Sequence, residues 1–239
     1  THNTNEYQEI RMVRVVRSSG TFALLLSAFI FIGCGSPDEG PPYSPEDALE
    51  TIEVPPGFRV EVAASEPQIS DPVDLAFDGD GKLYVVEMLD YPAESDEDPT
   101  SKVKLLEDTN GDGRYETSSL FAEDLPFANG VMPWKDGVLV TNAPDIIYFE
   151  DTTGNGQADI REVVLTGFAA TNPQLRMSAL EYGIDNWIYG AYSRAGGSRR
   201  YPQFADRGHP LTFPADPARD SVDIRPGNDF RFRPERFAV

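Results

Sequence analysis

Two stretches of this 239-residue chain set oxygen-bearing side chains at alternate positions around a glycine-rich turn. The first, Asp108-x-Asn110-x-Asp112-Gly113, offers ligands at its first, third and fifth positions, and Glu116 stands at the ninth. A hard cation such as Ca2+ takes about six to eight oxygens, and glycine permits the bend that gathers them. The twelfth position is Ser119, so the loop is not a complete EF-hand. The second stretch offers Asp151, Thr153, Asn155 and Asp159, with fewer carboxylates and a weaker pull on a cation. The same residues also suit plain Asx/Gly turns, because Asn and Asp bond their own backbone and tolerate left-handed geometry. Both readings stand at the level of sequence.

Other chemistries are excluded by count and spacing. Asp and Glu number 40 against 20 Lys and Arg, a formal net charge of −20. Such a surface repels phosphate backbones, so no nucleic-acid partner is expected. The single Cys, Cys34, permits no intrachain disulfide and no Cys-based zinc site. The two His, His2 and His209, have no metal-ligand spacing. No G-x-S-x-G elbow is present, and Ser-His-Asp hydrolysis would have only His209 to draw on, in a Pro/Gly-rich loop. No G-x-G-x-x-G opens a helix, so a Rossmann nicotinamide site is absent.

The elements that must carry these loops are β-strands. Apolar residues make up 40% of the chain, enough for a packed core. From residue 57 onward, short β-type runs are divided by Gly, Asp, Asn and Pro, without sustained helical periodicity. Strands are expected at 73–77, 82–87, 102–107 and 115–122, then at 130–134, 138–141, 146–150 and 160–166. A third set begins with 178–182, 187–191 and 229–233, and residues 45–52 suit a turn or two of helix. The Asp/Gly loop recurs from Asp108 to Asp151, 43 residues on, and an Asp-Gly or Asp-Asn turn recurs at Asp80, Asp136 and Asp185. A repeat of about 40–50 residues holding four strands has the size of a propeller blade. The expected fold is therefore all-β, a β-propeller present as an incomplete fragment of about three four-stranded blades. The competing reading is a β-sandwich with coincidental turns.

Blade geometry sorts the loops. In an antiparallel meander, alternate loops emerge on alternate faces. Both Asp/Gly loops then share one face, where any calcium is structural. The long segments 88–101 and 193–228, the short connection 142–145, and the connections 125–129 and 168–177 share the other. Long loops on a rigid scaffold are where sites usually lie.

Ahead of the strands, Arg11, Arg14 and Arg17 precede an apolar run over residues 21–33, which ends Phe31-Ile32-Gly33-Cys34. That run is shorter than the roughly 20 residues a membrane span needs, and its basic and apolar order is that of a secretory signal. It resembles a bacterial lipoprotein signal, with Cys34 as the lipidated residue; an ordinary signal or short anchor is the alternative. Residues 1–33 are thus read as signal peptide, 34–55 as a flexible acidic and Pro-rich tether, and 56–239 as the propeller domain.

The domain resembles a known family. Gly57-Phe58-Arg59-Val60, Ala64-Ser65-Glu66-Pro67, Asp71-Pro72-Val73, Phe77-Asp78, Val86-Glu87-Met88 and Asp90-Tyr91-Pro92 carry the resemblance. So do the Asp/Gly repeat, Gly137-Val138-Leu139-Val140, Ala143-Pro144-Asp145-Ile146 and Tyr182-Gly183-Ile184-Asp185-Asn186-Trp187. Over roughly residues 48–239 it is similar to the membrane-bound dehydrogenase domain of planctomycete and verrucomicrobial type, related to the sorbosone and soluble glucose dehydrogenases. The resemblance implies a six-bladed propeller using pyrroloquinoline quinone (PQQ) and calcium, oxidising a sugar or alcohol. It also implies electron transfer to a haem c domain, and no CxxCH lies in this chain. On this reading the chain holds about half a ring, with residues 57–64 supplying the outer strand of the last blade.

If the chain is a dehydrogenase, Glu87 is the expected base for the substrate hydroxyl on the long-loop face, and Arg176 and Arg194 are the expected anion clamps. The alternatives are that Glu87 simply ends a strand, Arg176 pairs with a neighbouring acid and Arg194 is solvated. Asn142, Gln174 and Tyr192 are expected to contact the cofactor, with Asp90, Asn129 and Asp145 on the same face. A His commonly follows the Gln of the third such loop in the family; here Leu175 and Arg176 follow Gln174. The alternative function is a non-catalytic, calcium-stabilised propeller that binds glycans or proteins at the cell envelope.

Overall fold

The computed structural model describes residues 41–92, 99–170, 172–192 and 206–233. Tyr43–Val239 forms one unit, and the other, Thr1–Pro42, lies almost wholly outside the described residues. Cys34 and Arg194 also lie outside them.

Alternation of apolar and polar residues builds strands, and the turns between them set the order. β1 (Pro72–Phe77), β2 (Leu83–Glu87), β3 (Lys102–Glu107) and β4 (Thr117–Ala122) pair in sequence as one antiparallel sheet. β5 (Gly130–Trp134), β6 (Gly137–Asn142), β7 (Asp145–Glu150) and β8 (Ile160–Thr166) repeat the pattern. β9 (Met177–Tyr182), β10 (Ile188–Tyr192) and β11 (Asn228–Phe232) form a third sheet. The first strands of the sheets lie side by side, β1 against β5 and β5 against β9. The Val131 N–H donates to Asp74 Oδ2 at 2.9 Å, tying two of them. Within the second sheet Gly130 lies close against its ladder partner, since a Cβ there would meet Thr141 Oγ1 at 2.6 Å.

A two-layer sandwich leaves each sheet one solvent face. Here the middle sheet buries both, and all of β6 is buried. Tyr84, Val86, Leu105 and Phe121 of the first sheet meet Val138, Val140, Ile147 and Phe149 of the second. Leu139, Ile146 and Tyr148, on the other side of the second sheet, join a cluster with Ile188, Tyr192 and Phe230 of the third. The period-2 reversal of side chains supplies both faces from one strand. This is the stacking of propeller blades around an inner edge, and the fold is a β-propeller type built here from three blades. On the outward flank of the first blade, Val73, Leu75 and Phe77 are about half exposed.

Two expectations shift. Residues 57–64 form no strand; the Ala63 carbonyl accepts the Tyr115 N–H, and Ala64 packs against Leu83, Val85 and Leu106. An outer strand needs a sheet to pair with, and no neighbouring ladder reaches this segment among the described residues. The same bond delays β4, expected from residue 115, until Thr117. Within the expected tether, α1 (Pro45–Leu49) is helical, with Ser44 Oγ accepting the Asp47 N–H and Pro in the first turn.

Candidate functional site

The long-loop face has a hub at the connection between β4 and β5. The Pro126 carbonyl accepts two side-chain donors, Asn142 Nδ2 at 2.6 Å and Arg176 Nη1 at 3.1 Å. The Arg176 guanidinium also lies 4.7 Å from the Phe127 ring centroid. The Phe127 N–H donates to Asp90 Oδ2 at 2.7 Å. Phe127 holds φ at 53°, an uncommon left-handed setting for a bulky residue. Asp90 Oδ1 accepts the Thr100 N–H at 2.6 Å and the Thr100 hydroxyl. At the rim, Gln174 Nε2 donates to Tyr91 Oη at 2.5 Å.

Strand ends and short turns position these groups. Asp90 and Tyr91 follow β2, and Asn142 closes β6. Gln174 sits in a 3-10 turn (Pro173–Leu175) capped by Asn172 Oδ1, which accepts the Gln174 N–H. Arg176 follows that turn and leads into β9. Asp90, Asn142 and Arg176 are buried. A buried charge is tolerated when it is paired or fully hydrogen-bonded. Burial alone would raise the Asp90 pKa, but the bonds from Thr100 and from the Phe127 N–H outweigh it and hold the carboxyl below its ordinary 3.8.

Glu87, the expected base, ends β2 with 1% of its surface exposed. Its Oε1 accepts the Ser70 N–H at 2.8 Å, and its Oε2 lies 3.3 Å from Lys102 Nζ, directly across the β2–β3 ladder. Its angle to that ammonium is poor for a hydrogen bond, so Oε2 is ion-paired without one. The carboxylate is spent on structure and does not open toward a substrate. Tyr192 is a latch: its buried Oη accepts the Ala169 N–H at 2.6 Å, bracing the β8–β9 connection, and burial pushes its pKa up. The described part of the long β10–β11 segment folds back onto the second blade, where Thr212 exchanges hydrogen bonds with Thr166. His209 is exposed there and gives its backbone N–H to the Gly167 carbonyl.

The structure thus brings Asn142, Arg176 and Gln174 onto one face with Asp90 and leaves Glu87 behind it. Sequence reasoning placed Asp90 on the face without a role and did not weigh Tyr91 or the Pro126 carbonyl. The Asp90-Tyr91-Pro92 run was the available signal; a backbone acceptor leaves none.

On the opposite face, Asp108, Asp112 and Glu116 place one carboxylate oxygen each within 4.8 Å of one another. Most of their acceptor capacity is turned inward. Asp108 accepts the N–H groups of Asn110, Gly111 and Gly113, which hold its pKa down. Glu116 Oε2 accepts the N–H and hydroxyl of Thr109, and its Oε1 accepts Asn110 Nδ2. The second loop copies this wiring. Asp151 accepts the Thr153, Gly154 and Gly156 N–H groups, and Asp159 accepts the N–H and hydroxyl of Thr152. Asn155 Oδ1 accepts the Gln157 N–H, and the Thr153 hydroxyl is itself bonded to Asp151. Among the described residues only the first loop gathers three acidic groups.

Comparison with curated protein sequences finds no match. Among solved structures, the chain is similar to the holo form of the pyranose dehydrogenase PQQ domain from Coprinopsis cinerea, at a TM-score of 0.45 and 16% identity. The likeness covers 63% of this chain and 34% of that one, so this chain spans about a third of that domain's chain. A family model described as a domain of unknown function, DUF7133, matches residues 44–235, which take in all three blades and both loop faces. The chain belongs to the DUF7133 family.

Proposed function

We propose that this chain supplies blades of a quinone-dependent sugar or alcohol dehydrogenase whose chemistry occurs on the long-loop face. In this reading a lipid on Cys34 anchors the protein, which faces the periplasm or cell surface and passes electrons to a haem c partner. The observation that carries the proposal is the convergence on Pro126 and Phe127. Segments from the first blade to the start of the third are locked there by Asp90, Asn142 and Arg176. A face braced in this way is preorganised, and binding groups held by such a frame lose little entropy on engaging a ligand.

The residues fit an acidic planar cofactor in part. The Gln174 amide and the Tyr91 hydroxyl stand at the rim, where they would contact it, and the buried Arg176 cation lies behind them on the same segment. A bound quinone supplies the two-electron acceptor. The chain's own residues bind and orient: Gln174 and Tyr91 at the rim, Asn142 and Arg176 by fixing the Pro126 loop. The proton acceptor is not Glu87, which Ser70 and Lys102 occupy. A structural calcium would sit at Asp108, Asp112 and Glu116, on the far face.

The closure of Glu87 favours a second reading, a non-catalytic propeller that binds glycans. Tyr91 and Gln174 pair an exposed aromatic ring with an amide, groups suited to a sugar. Spectral titration of the full-length protein with PQQ and calcium, followed by dye reduction with sugars and alcohols, separates the two. Quinone binding with dye reduction supports the first. Sugar binding without quinone supports the second, and binding of neither overturns both.

A further inference from the structure

A cavity of about 390 Å³ opens between the first and second blades, on the face of the Asp/Gly loops. Its volume lies in the range of small-molecule sites, about 300–1,000 Å³. Tyr84, Leu105 and Phe121 supply apolar lining, with the Tyr84 and Phe121 rings edge to face at 5.0 Å between centroids. Asp78, Asp80 and Asp136 stand around it on the β1–β2 and β5–β6 turns, and Asp151 reaches it from the second Asp/Gly loop.

Two features distinguish this cleft from a solvated acidic surface. Tyr84 is only 6% exposed, yet its hydroxyl has no hydrogen-bond partner among the described residues. Burial first, then the charges of Asp78, Asp151 and Glu107, push its pKa up to about 12, so the phenol faces carboxylates across the cleft and stays protonated. Second, the carboxylates are not all consumed. Asp78 Oδ1 accepts the Asp80 and Lys82 N–H groups, but its Oδ2, Asp80 and Asp136 bond to no described side chain. Neither lining lysine makes a described ion pair with Asp78, Asp80 or Asp136, although the charges of Asp78 and Asp151 act on Lys82. Lys82 pairs with Glu107 at 3.0 Å, and Lys135 lies 4.4 Å from the Trp134 ring centroid.

We infer that this interblade cleft is a binding site for a small organic cation, an ammonium or guanidinium group on a short carbon stem. The stem packs on Leu105 and Phe121, the cationic N–H groups donate to Asp78, Asp80 and Asp136, and the Tyr84 oxygen accepts one more. A dehydrated metal ion is the wrong occupant, because these carboxylates do not gather within 4.8 Å as those of the first loop do. A net charge of −20 raises the local concentration of any cation at the mouth.

The test is calorimetric titration of the full chain at low salt with 1,4-diaminobutane, with sorbitol and calcium chloride as controls. Saturable diamine binding is expected, weaker at high salt. Asp80→Asn with Asp136→Asn should weaken it about tenfold or more, as for charge-assisted hydrogen bonds. Tyr84→Phe, which keeps the ring and its packing, should weaken it about three- to tenfold. Absence of saturable binding, equal affinity in the variants, or equal binding of sorbitol overturns the inference. Calcium binding that is unaffected by these variants and lost in Glu116→Gln belongs to the first Asp/Gly loop; if it is the only binding seen, the inference also fails.

Discussion

The two loop faces of this propeller are made by the same strands and held by different kinds of contact. On the Asp/Gly face, the carboxylate bonds within each loop join residues two to seven apart in the chain, and the longer ties are single donors to a carbonyl, Gln68 Nε2 to Glu116 and Ser119 Oγ to Gly156. On the long-loop face, Asn142 reaches Pro126 across 16 residues, Asp90 reaches Phe127 across 37, Arg176 reaches Pro126 across 50 and Gln174 reaches Tyr91 across 83. Local turns close with little chain entropy at stake, whereas the Pro126 hub exists only when blades dock. The acidic wiring of the first face can loosen one loop at a time. The second is tied to the global fold.

That contrast can be broken most directly at Asp90. Asp90→Ala strips the partners from the Phe127 and Thr100 N–H groups, and we expect a loss of about 3–5 kcal/mol in urea unfolding. A loss under about 1 kcal/mol would show that the hub is not part of the cooperative core. Arg176→Met keeps the packing bulk but removes the Pro126 bond and the cation over Phe127, with an expected loss of about 2–3 kcal/mol by the same assay. Asn142→Ala should cost about 1–2 kcal/mol.

Acid titration sharpens the comparison further. The folded pKa of Asp90 lies below its unfolded value, so the folded state binds fewer protons near pH 4. Its contribution is intact above the ordinary carboxylate pKa of 3.8 and fades as pH falls below it. Melting temperatures of the native protein and Asp90→Asn should therefore converge as pH is lowered through that range. The smallest global effect belongs to the other face. Asp108→Ala should leave the cooperative transition nearly unmoved while amide exchange quickens at Gly111 and Gly113, which hold φ at 79° and 89°. A large fall in global stability would mean that the loop braces the blade.

Much of the fold was legible because its signals are local. Strand edges fall within two residues of those expected, since alternation and Asx/Gly punctuation act over a few neighbours. β4 starts late because Tyr115 gives its N–H to Ala63, a contact from 52 residues away. The site was less legible. Glu87 reads as a free carboxylate at a strand end, but β-ladder register sets Lys102 directly opposite it. Asn142 and Arg176 were placed on the right face, yet their shared target is a main-chain carbonyl that no side-chain pattern announces.

By itself, the sequence determined the blades, their turns and the copied wiring of the Asp/Gly loops, because each depends on groups a few residues apart. Only the tertiary structure decided which polar groups are spent and which remain open. Glu87 and Asp90 became structural through distant backbone and lysine partners, while the Tyr84 hydroxyl was left facing a cleft between blades. Burial and pairing are set by what docks against a residue, and that is a property of the whole fold rather than of its neighbours in the chain.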